Sequence, residues 1–193
     1  RLHDATGAEP ERILCIGDST TFGVGVNDAE AWPAQLQRRI DHDADGRYEV
    51  INAGVPGYSA LQGLWYLERY GFALEPDIVI ANFGHNDCVP LTAGGIADVE
   101  WVNPEHGSGF VALVQAALRS TARPENAATK LRLTPGEFLD TLLELNEACR
   151  ERNAMLAYLV WPYAIDFERG HMLPPTSLIA EGAKLNGAPV IDL

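Results

Sequence analysis

Three apolar runs of this sequence have the length of a β-strand, and each of them stops at a glycine. They lie at about 12–17, 48–53 and 76–83, and the glycines are Gly17, Gly54 and Gly84. The third run is apolar almost throughout, which is typical of a central strand in a parallel sheet, because both faces of such a strand are covered. Strands that end at glycine corners and alternate with helical segments predict an α/β fold with a mostly parallel sheet.

The rest of the chain continues this alternation. Its spacing predicts helices at about 29–40, 59–70, 134–152 and 175–185, and further strands at about 155–161 and 189–193. Ser59 and Thr134 stand where side chains cap helix N-termini. Right-handed crossovers then favour a three-layer α/β/α sandwich, with a flavodoxin-like five-stranded sheet in the order 2-1-3-4-5 and a single domain over residues 1–193.

The segments between these elements are predicted to be irregular. A loop rich in glycine and threonine follows Gly17 as far as Asn27, and 41–46 is predicted to be a polar turn. From 88 to 133 the pattern loosens around a Gly-Gly pair and several prolines, with one candidate helix at about 109–120. A long irregular segment in a compact domain is more often a functional loop than scaffold.

The chain is strongly acidic, which restricts its partners. Among its 193 residues, 27 Asp and Glu outnumber 14 Lys and Arg, for a net charge of −13. Most of such a surface repels a polyanion, so a nucleic-acid partner is not expected. No P-loop or HExxH motif occurs, and Gly23-x-Gly25 lacks the third glycine of a dinucleotide fingerprint. Neither a cofactor nor a metal is therefore expected.

Cysteine usage and hydropathy leave the compartment open. The three cysteines, Cys15, Cys88 and Cys149, are odd in number and widely spaced, so we expect thiols, mostly buried, rather than disulfides or a metal site. This usage fits a cytoplasmic or an extracytoplasmic protein. No apolar run approaches the roughly 18 residues of a membrane-spanning helix.

The three glycine corners carry polar groups that suit acyl transfer. The corners are Gly17-Asp18-Ser19, Asn52-Ala53-Gly54 and Gly84-His85-Asn86-Asp87. Because parallel strands end at one edge of the sheet, the Ser19 hydroxyl, the Gly54 N–H and the Asn86 amide are expected to lie near one another. Acyl transfer needs a nucleophilic oxygen and donors for the negative oxygen that develops on the attacked carbonyl.

Taken locally, Ser19 has two other interpretations. A serine after a strand can cap the following helix. Alternatively, Ser19, Thr20 and Thr21 could hold a phosphate at a helix N-terminus, as in a non-catalytic flavodoxin-like binding module. The phosphate interpretation leaves Gly54 and Asn86 without a role.

Together, these motifs resemble those of the SGNH hydrolases, also called the GDSL esterases and lipases. Gly17-Asp18-Ser19 is similar to the family's first motif, Gly54 stands where the second motif has its glycine, and Gly84-x-Asn86-Asp87 matches the third. The resemblance runs from about Arg12 to Leu193 in motif order and strand pattern. It implies a serine esterase with an acyl-serine intermediate. By the same resemblance Ser19 is the nucleophile, and the Ser19 N–H, the Gly54 N–H and the Asn86 amide form the oxyanion hole.

One part of the family's pattern is absent from these residues. The family has an Asp-x-x-His after the fifth strand, which supplies the general base and the carboxylate that orients it. None of the five histidines here has an aspartate three residues before it. We therefore expect this pair to lie beyond Leu193, with His171 as the alternative base, and we expect the crevice beside Ser19 to be open without it.

The resemblance leaves the substrate class broad. The family includes lipases, thioesterases, sugar deacetylases and O-acyltransferases, and some members could bind without catalysis. The expected substrate is a small-molecule, lipid or acylated-carbohydrate ester. Five aromatic residues could line its pocket, although aromatics at such spacing more often belong to the core: Trp65, Trp101, Phe110, Trp161 and Tyr163.

Overall fold

The computed structural model describes residues 9–44, 47–87, 98, 131–161 and 174–192. These residues contain one five-stranded sheet, made of β1 Glu11–Gly17, β2 Tyr48–Gly54, β3 Ile78–Asn82, β4 Met155–Val160 and β5 Val190–Asp192. All neighbouring strands are parallel, and their order is β2-β1-β3-β4-β5. The predicted α/β fold class and the strand order 2-1-3-4-5 are confirmed.

Helices cover both faces of the sheet. In the described ranges they are α1 Ser19–Phe22, α2 Trp32–Ala44, α3 Ala60–Arg69, α4 Pro135–Glu151 and α5 Pro174–Asn186, with short 3₁₀ turns at Asp28–Glu30 and Gly71–Leu74. Side chains alternate between the two faces of a strand. Along β1, Leu14 and Ile16 belong to the core under α3, α4 and α5, whereas Ile13 and Cys15 belong to the core under α2. The sheet is thus the middle of three layers.

Two helix starts are set by their own sequence, as predicted. The Ser59 hydroxyl accepts from the Gln62 N–H, and the Gln62 side chain accepts from the Ser59 N–H. Thr134 and Glu137 make the same reciprocal pair at the start of α4, where Pro135 follows. Each capping box satisfies N–H groups that a helix leaves unpaired.

Two segments that were predicted to be irregular are helical. Ser19–Phe22 forms a single turn, because the Asp18 carboxylate caps its start and Gly23 closes it in the left-handed conformation. The second helix continues to Ala44, through residues that were expected to form a polar turn. Its last turns gain side-chain pairs four residues apart, Gln37 with Asp41 and Arg39 with Asp43. The candidate helix at 109–120 lies outside the described residues.

Two of the three cysteines can be placed, and both are buried free thiols, as predicted. Burial raises the pKa of both Cys15 and Cys149 to about 12, so both stay protonated at neutral pH. Cys88 lies outside the described residues. Within the described ranges, no helix has both the length and the apolar character needed to span a membrane.

The packing of Gly63 gives a stability test. A Cβ at Gly63 would lie 2.1 Å from Cζ of the buried Phe83 ring, whereas one at Gly136 would meet nothing within 4 Å. Gly to Ala inside a helix normally stabilises by about 1 kcal/mol. We expect Gly136→Ala to raise the free energy of unfolding by a few tenths to about 1 kcal/mol, and Gly63→Ala to lower it by about 1–3 kcal/mol through overpacking.

Urea denaturation of the two variants measures both values. If Gly63→Ala were as stabilising as Gly136→Ala, the contact between α3 and the Phe83 ring would be looser than described.

Candidate active site

The candidate site lies at the carboxyl ends of the first three strands. Gly17, the last residue of β1, pairs with Gly54 of β2 on one side and with Asn82 of β3 on the other. β2 and β3 therefore lie on opposite sides of β1, and the chain connections diverge there. Ligands of open α/β sheets bind at such a divergence.

Ser19 is presented by a corner whose shape is set by Asp18. The Asp18 carboxylate is buried, with 2% of its surface exposed, and accepts from the Thr20 N–H at 2.8 Å. Ser19 follows as the first residue of α1 and is half-buried. No hydrogen bond among the described residues uses its N–H or its Oγ as a donor. A first-turn N–H has no partner within its own helix, so it can serve a ligand.

The Asn86 amide lies between the Ser19 corner and the loop after β2. Its Nδ2 donates to the Tyr58 carbonyl at 3.0 Å and to Asp18 Oδ2 at 3.3 Å. The two bonds hold a side-chain donor beside the residue that precedes Ser19. To bind a substrate oxygen, Nδ2 would have to give up one of them, and the bond to Asp18 is the longer of the two.

Gly54 is placed differently from the expectation that its N–H is available. That N–H donates to Asn52 Oδ1 at 3.0 Å. A Cβ on Gly54 would lie 2.3 Å from the Phe22 backbone nitrogen, so the glycine is required for the close approach of α1 to β2. In this structure Gly54 is a packing position with an occupied N–H.

A tight turn follows, and it presents a different glycine. The Tyr58 N–H donates to the Val55 carbonyl at 3.1 Å, Pro56 and Gly57 fill the centre, and Gly57 has a φ of 84°. These are the features of a type II β-turn, whose third residue needs positive φ and is therefore usually glycine. No hydrogen bond among the described residues uses the Gly57 N–H, and Tyr58, which Asn86 contacts, is its neighbour.

Asp87 fixes the loop that carries Asn86. It is fully buried, and its two carboxylate oxygens accept from the Ala60 N–H at 2.7 Å and from the Gly84 N–H at 2.8 Å. Burial raises its pKa to about 7, and the two N–H bonds oppose that shift. Asp87 therefore ties the end of β3 to the start of α3.

An open cleft adjoins Ser19 on the side of α2. Its volume is about 500 Å³, and its apolar wall consists of Val24, Val26, Ala31, Trp32 and Trp161, with Glu30 and Gln35 among its polar residues. Of the five aromatics proposed for a pocket, Trp161 lies here. Trp65 is instead exposed on α3, where Arg69 stacks on it, and the other three lie outside the described residues.

The described histidines do not complete a triad at Ser19. His42 is exposed near the end of α2, paired with Asp43 at 2.7 Å. His85 is an exposed residue of the Asn86 loop. No hydrogen bond in the described ranges joins either of them to Ser19. The other three histidines, with the alternative base His171, lie outside those ranges.

The phosphate interpretation of the first loop is disfavoured by local charge. Thr21 is fully buried, so it cannot reach a ligand at the surface, and the Asp18 carboxylate already occupies the start of a helix of only four residues. A phosphate there would meet a like charge. Among the described residues, no group of three or more His, Cys, Asp or Glu side chains could hold a metal ion.

Sequence reasoning missed two features of this site. Pro56-Gly57 carries the signal of a type II turn, which could have pointed to Gly57. The second feature is the ion pair between Arg132 and Asp98, in which Arg132 also bonds the Gly57 carbonyl. It gave no local signal, because Asp98 and Gly57 are 34 and 75 residues from Arg132 in sequence.

The sheet, its order and the serine corner together define an α/β/α fold of the SGNH type. The chain belongs to the GDSL-like Lipase/Acylhydrolase family, whose family model matches residues 15–193. The sequence resemblance to the GDSL esterases is thereby confirmed.

Two characterised relatives match part of the chain. Esterase TesA of Pseudomonas aeruginosa is 31% identical over 80 residues, which are 42% of this chain and 39% of that protein. Thioesterase 1/protease 1/lysophospholipase L1 of Escherichia coli K12 is 30% identical over 80 residues, 42% of this chain and 36% of that protein. The matched stretch thus spans well under half of each relative.

Solved structures share the fold over most of the chain. A crystal structure of TesA has a TM-score of 0.63 at 18% identity and covers 93% of this chain and 77% of its own. The SGNH-hydrolase family esterase AlinE4 has a TM-score of 0.60 at 19% identity and covers 95% and 76%.

The buried Asp87 predicts a pH dependence of stability. Its folded-state pKa of about 7 lies above its ordinary value of 3.8, so the folded state favours the protonated form. The stability gained from this preference is complete below pH 3.8 and is lost as the pH rises to about 7. The difference between these two pKa values corresponds to a loss of at most roughly 4 kcal/mol in the free energy of unfolding.

Chemical denaturation between pH 4 and 8 measures this loss. Relative to Asp87→Asn, the wild-type protein should lose stability across the range, whereas the variant of the exposed Asp140, Asp140→Asn, should follow the wild type. Parallel curves for the wild type and Asp87→Asn would show that the two N–H bonds outweigh burial.

Proposed function

We propose that this protein is a serine hydrolase of carboxylic esters that acts through an acyl-serine intermediate on Ser19. The observation that carries the proposal is the Ser19 corner: a half-buried serine with unused donors, beside the Asn86 amide, in a chain of the GDSL-like family. The names of two relatives, esterase and thioesterase/lysophospholipase, agree with ester cleavage.

The proposed chemistry begins with attack of Ser19 Oγ on the ester carbonyl. A base takes the hydroxyl proton as the new C–O bond forms, and the carbonyl oxygen becomes an oxyanion. Collapse of this intermediate expels the alcohol and leaves the acyl group on Ser19, and water then releases the acid by the same route. Backbone and side-chain donors accelerate such steps because they are aimed at the oxyanion in advance.

We propose three donors for the oxyanion: the Ser19 N–H, the Asn86 Nδ2 and the Gly57 N–H. Gly57 replaces Gly54 in this assignment for two reasons. The Gly54 N–H already bonds Asn52 Oδ1, whereas no described bond uses that of Gly57. Asn86 contacts Tyr58, the neighbour of Gly57, at 3.0 Å. The donor role of Gly54 stays a prediction that the second experiment below tests.

The cleft beside Ser19 favours a substrate with an apolar part. Two tryptophans, Trp32 and Trp161, and the valines Val24 and Val26 line it, and burial of apolar groups there would contribute binding energy. We therefore propose a small-molecule, lipid or acylated-carbohydrate ester as the substrate class.

Replacement of the nucleophile is the first test. In the full-length protein, Ser19→Ala should lower kcat for p-nitrophenyl acetate by several orders of magnitude, because the variant lacks the hydroxyl that takes the acetyl group in the proposed mechanism. The melting temperature should stay near that of the wild type, since Ser19 makes no side-chain bond in the described structure.

The neighbouring hydroxyl provides the control. Thr20→Ala removes a hydroxyl from the same helical turn, and it should keep most of the activity. Retained turnover in Ser19→Ala, or loss of turnover only through unfolding, would overturn the assignment.

The second test removes a single backbone donor. Replacing Gly57 by glycolic acid through protein ligation turns its N–H into an ester oxygen and leaves the chain otherwise unchanged. Loss of one oxyanion donor should lower kcat by about 10²- to 10³-fold. The same replacement at Gly54 breaks the bond to Asn52 and should affect kcat much less. The reverse pattern would restore Gly54 as the donor.

A further inference from the structure

Arg132 bonds three partners at once. Its Nε and Nη2 bond the two carboxylate oxygens of Asp98 at 3.2 and 3.0 Å, its Nη1 donates to the Gly57 carbonyl at 2.6 Å, and its Nη2 also donates to Gln62 Oε1 at 2.8 Å. The side chains of Arg132 and Asp98 are 19% and 5% exposed. A planar guanidinium can bond a carboxylate with two parallel N–H groups and a carbonyl with another, a fork geometry that an ammonium lacks.

The Gly57 carbonyl belongs to the turn that carries the proposed donor. The start of this turn is bound to the sheet, because the Val55 N–H donates to the Gly17 carbonyl at 2.9 Å. Its last residue, Tyr58, is bound through its carbonyl to Asn86. Gly57 itself is exposed and has no side chain, so its described tertiary hydrogen bond is the one from Arg132. The Gly57 N–H lies one peptide away from the carbonyl that Arg132 holds.

Arg132 lies in the segment before α4, and this segment is hydrogen-bonded to the loop that holds Asn86. The Asp98 N–H donates to the Arg132 carbonyl at 3.1 Å, and the next residue, Leu133, donates its N–H to the Asp87 carbonyl at 3.0 Å. Asp87 is the direct neighbour of Asn86. The Arg132 side chain thus connects the Asn86 loop to the turn that contains Gly57.

We propose that Arg132 is a positioning residue for the oxyanion donors: with Asp98 holding its guanidinium, it fixes Gly57 relative to Asn86. The inference rests on the proposed function, in which both donors serve the same oxyanion. A displacement of about 1 Å in such a group can lower the rate about a hundredfold.

Arg132→Lys in the full-length protein is the main test, and Arg12→Lys is its matched control. Arg12 also bonds a carboxylate, that of Glu49 at 3.3 Å, and a backbone carbonyl, that of Leu74 at 2.7 Å, but at the amino ends of the strands. Its side chain is 13% exposed. Both variants keep the positive charge and lose the planar guanidinium with its several N–H donors. With p-nitrophenyl acetate, Arg132→Lys should lower kcat about 10- to 100-fold with KM within about twofold, and Arg12→Lys should leave kcat unchanged at a similar loss of melting temperature.

A second readout does not depend on catalysis. Amide hydrogen exchange at Tyr58, whose N–H bonds the Val55 carbonyl across the turn, should accelerate in Arg132→Lys and not in Arg12→Lys. If Arg132→Lys fails to fold, Asp98→Asn, which weakens the hold on the guanidinium, replaces it and should show the same changes to a smaller degree.

The outcomes separate this inference from the proposed function. Normal kcat in Arg132→Lys, or equal losses of kcat in both lysine variants, overturns the positioning role while Ser19→Ala still reports on the nucleophile. Full activity of Ser19→Ala overturns the proposed function. In that case the exchange rate at Tyr58 still decides whether Arg132 holds the turn, and an unchanged rate overturns the positioning role as well.

Discussion

The arrangement of this site depends on one buried carboxylate. Asp87 accepts the Gly84 N–H at the end of β3 and the Ala60 N–H at the start of α3, and its carbonyl accepts the Leu133 N–H. These bonds join segments that are far apart in sequence and leave Asn86 on a loop that is fixed on both sides. The arrangement carries a cost, because a buried charge is poorly solvated, and the raised pKa of Asp87 expresses that cost. A site that must hold donors still can tolerate such a cost, since misplaced donors contribute little.

The proposed donor Asn86 is held in place by hydrogen bonds within the protein. Asn86 Nδ2 bonds Tyr58 and, at 3.3 Å, Asp18, so both of its hydrogens have acceptors. In the proposed mechanism, Nδ2 exchanges one of these bonds for one to the oxyanion, which forms only as the reaction proceeds.

Arg132 and Asp98 extend this network outward. Hydrogen bonds to charged groups are about twice as strong as those between neutral groups. The Arg132 guanidinium makes such a bond to the Gly57 carbonyl of an exposed turn. Hydrogen bonds thus link the buried Asp87, through Leu133 and Arg132, to the Gly57 carbonyl. Packing beneath it is conventional, with Leu14, Ile16 and Tyr158 in the core of the same sheet face.

The sequence by itself determined the fold and the place of the site. Strand-length apolar runs, glycine corners and the caps at Ser59 and Thr134 are local signals, and they led to the correct sheet order because few right-handed topologies suit five parallel strands. They also brought Ser19 and Asn86 to one edge, since parallel strands end together. Only the tertiary structure decided which glycine keeps a free N–H. The sequence does not distinguish Gly54 from Gly57. In the structure the Gly54 N–H bonds the Asn52 side chain, whereas the Gly57 N–H is exposed in the turn. The Arg132–Asp98 pair could not be predicted from the sequence either. Long-range hydrogen bonds depend on how loops pack together, and sequence periodicity does not indicate that packing.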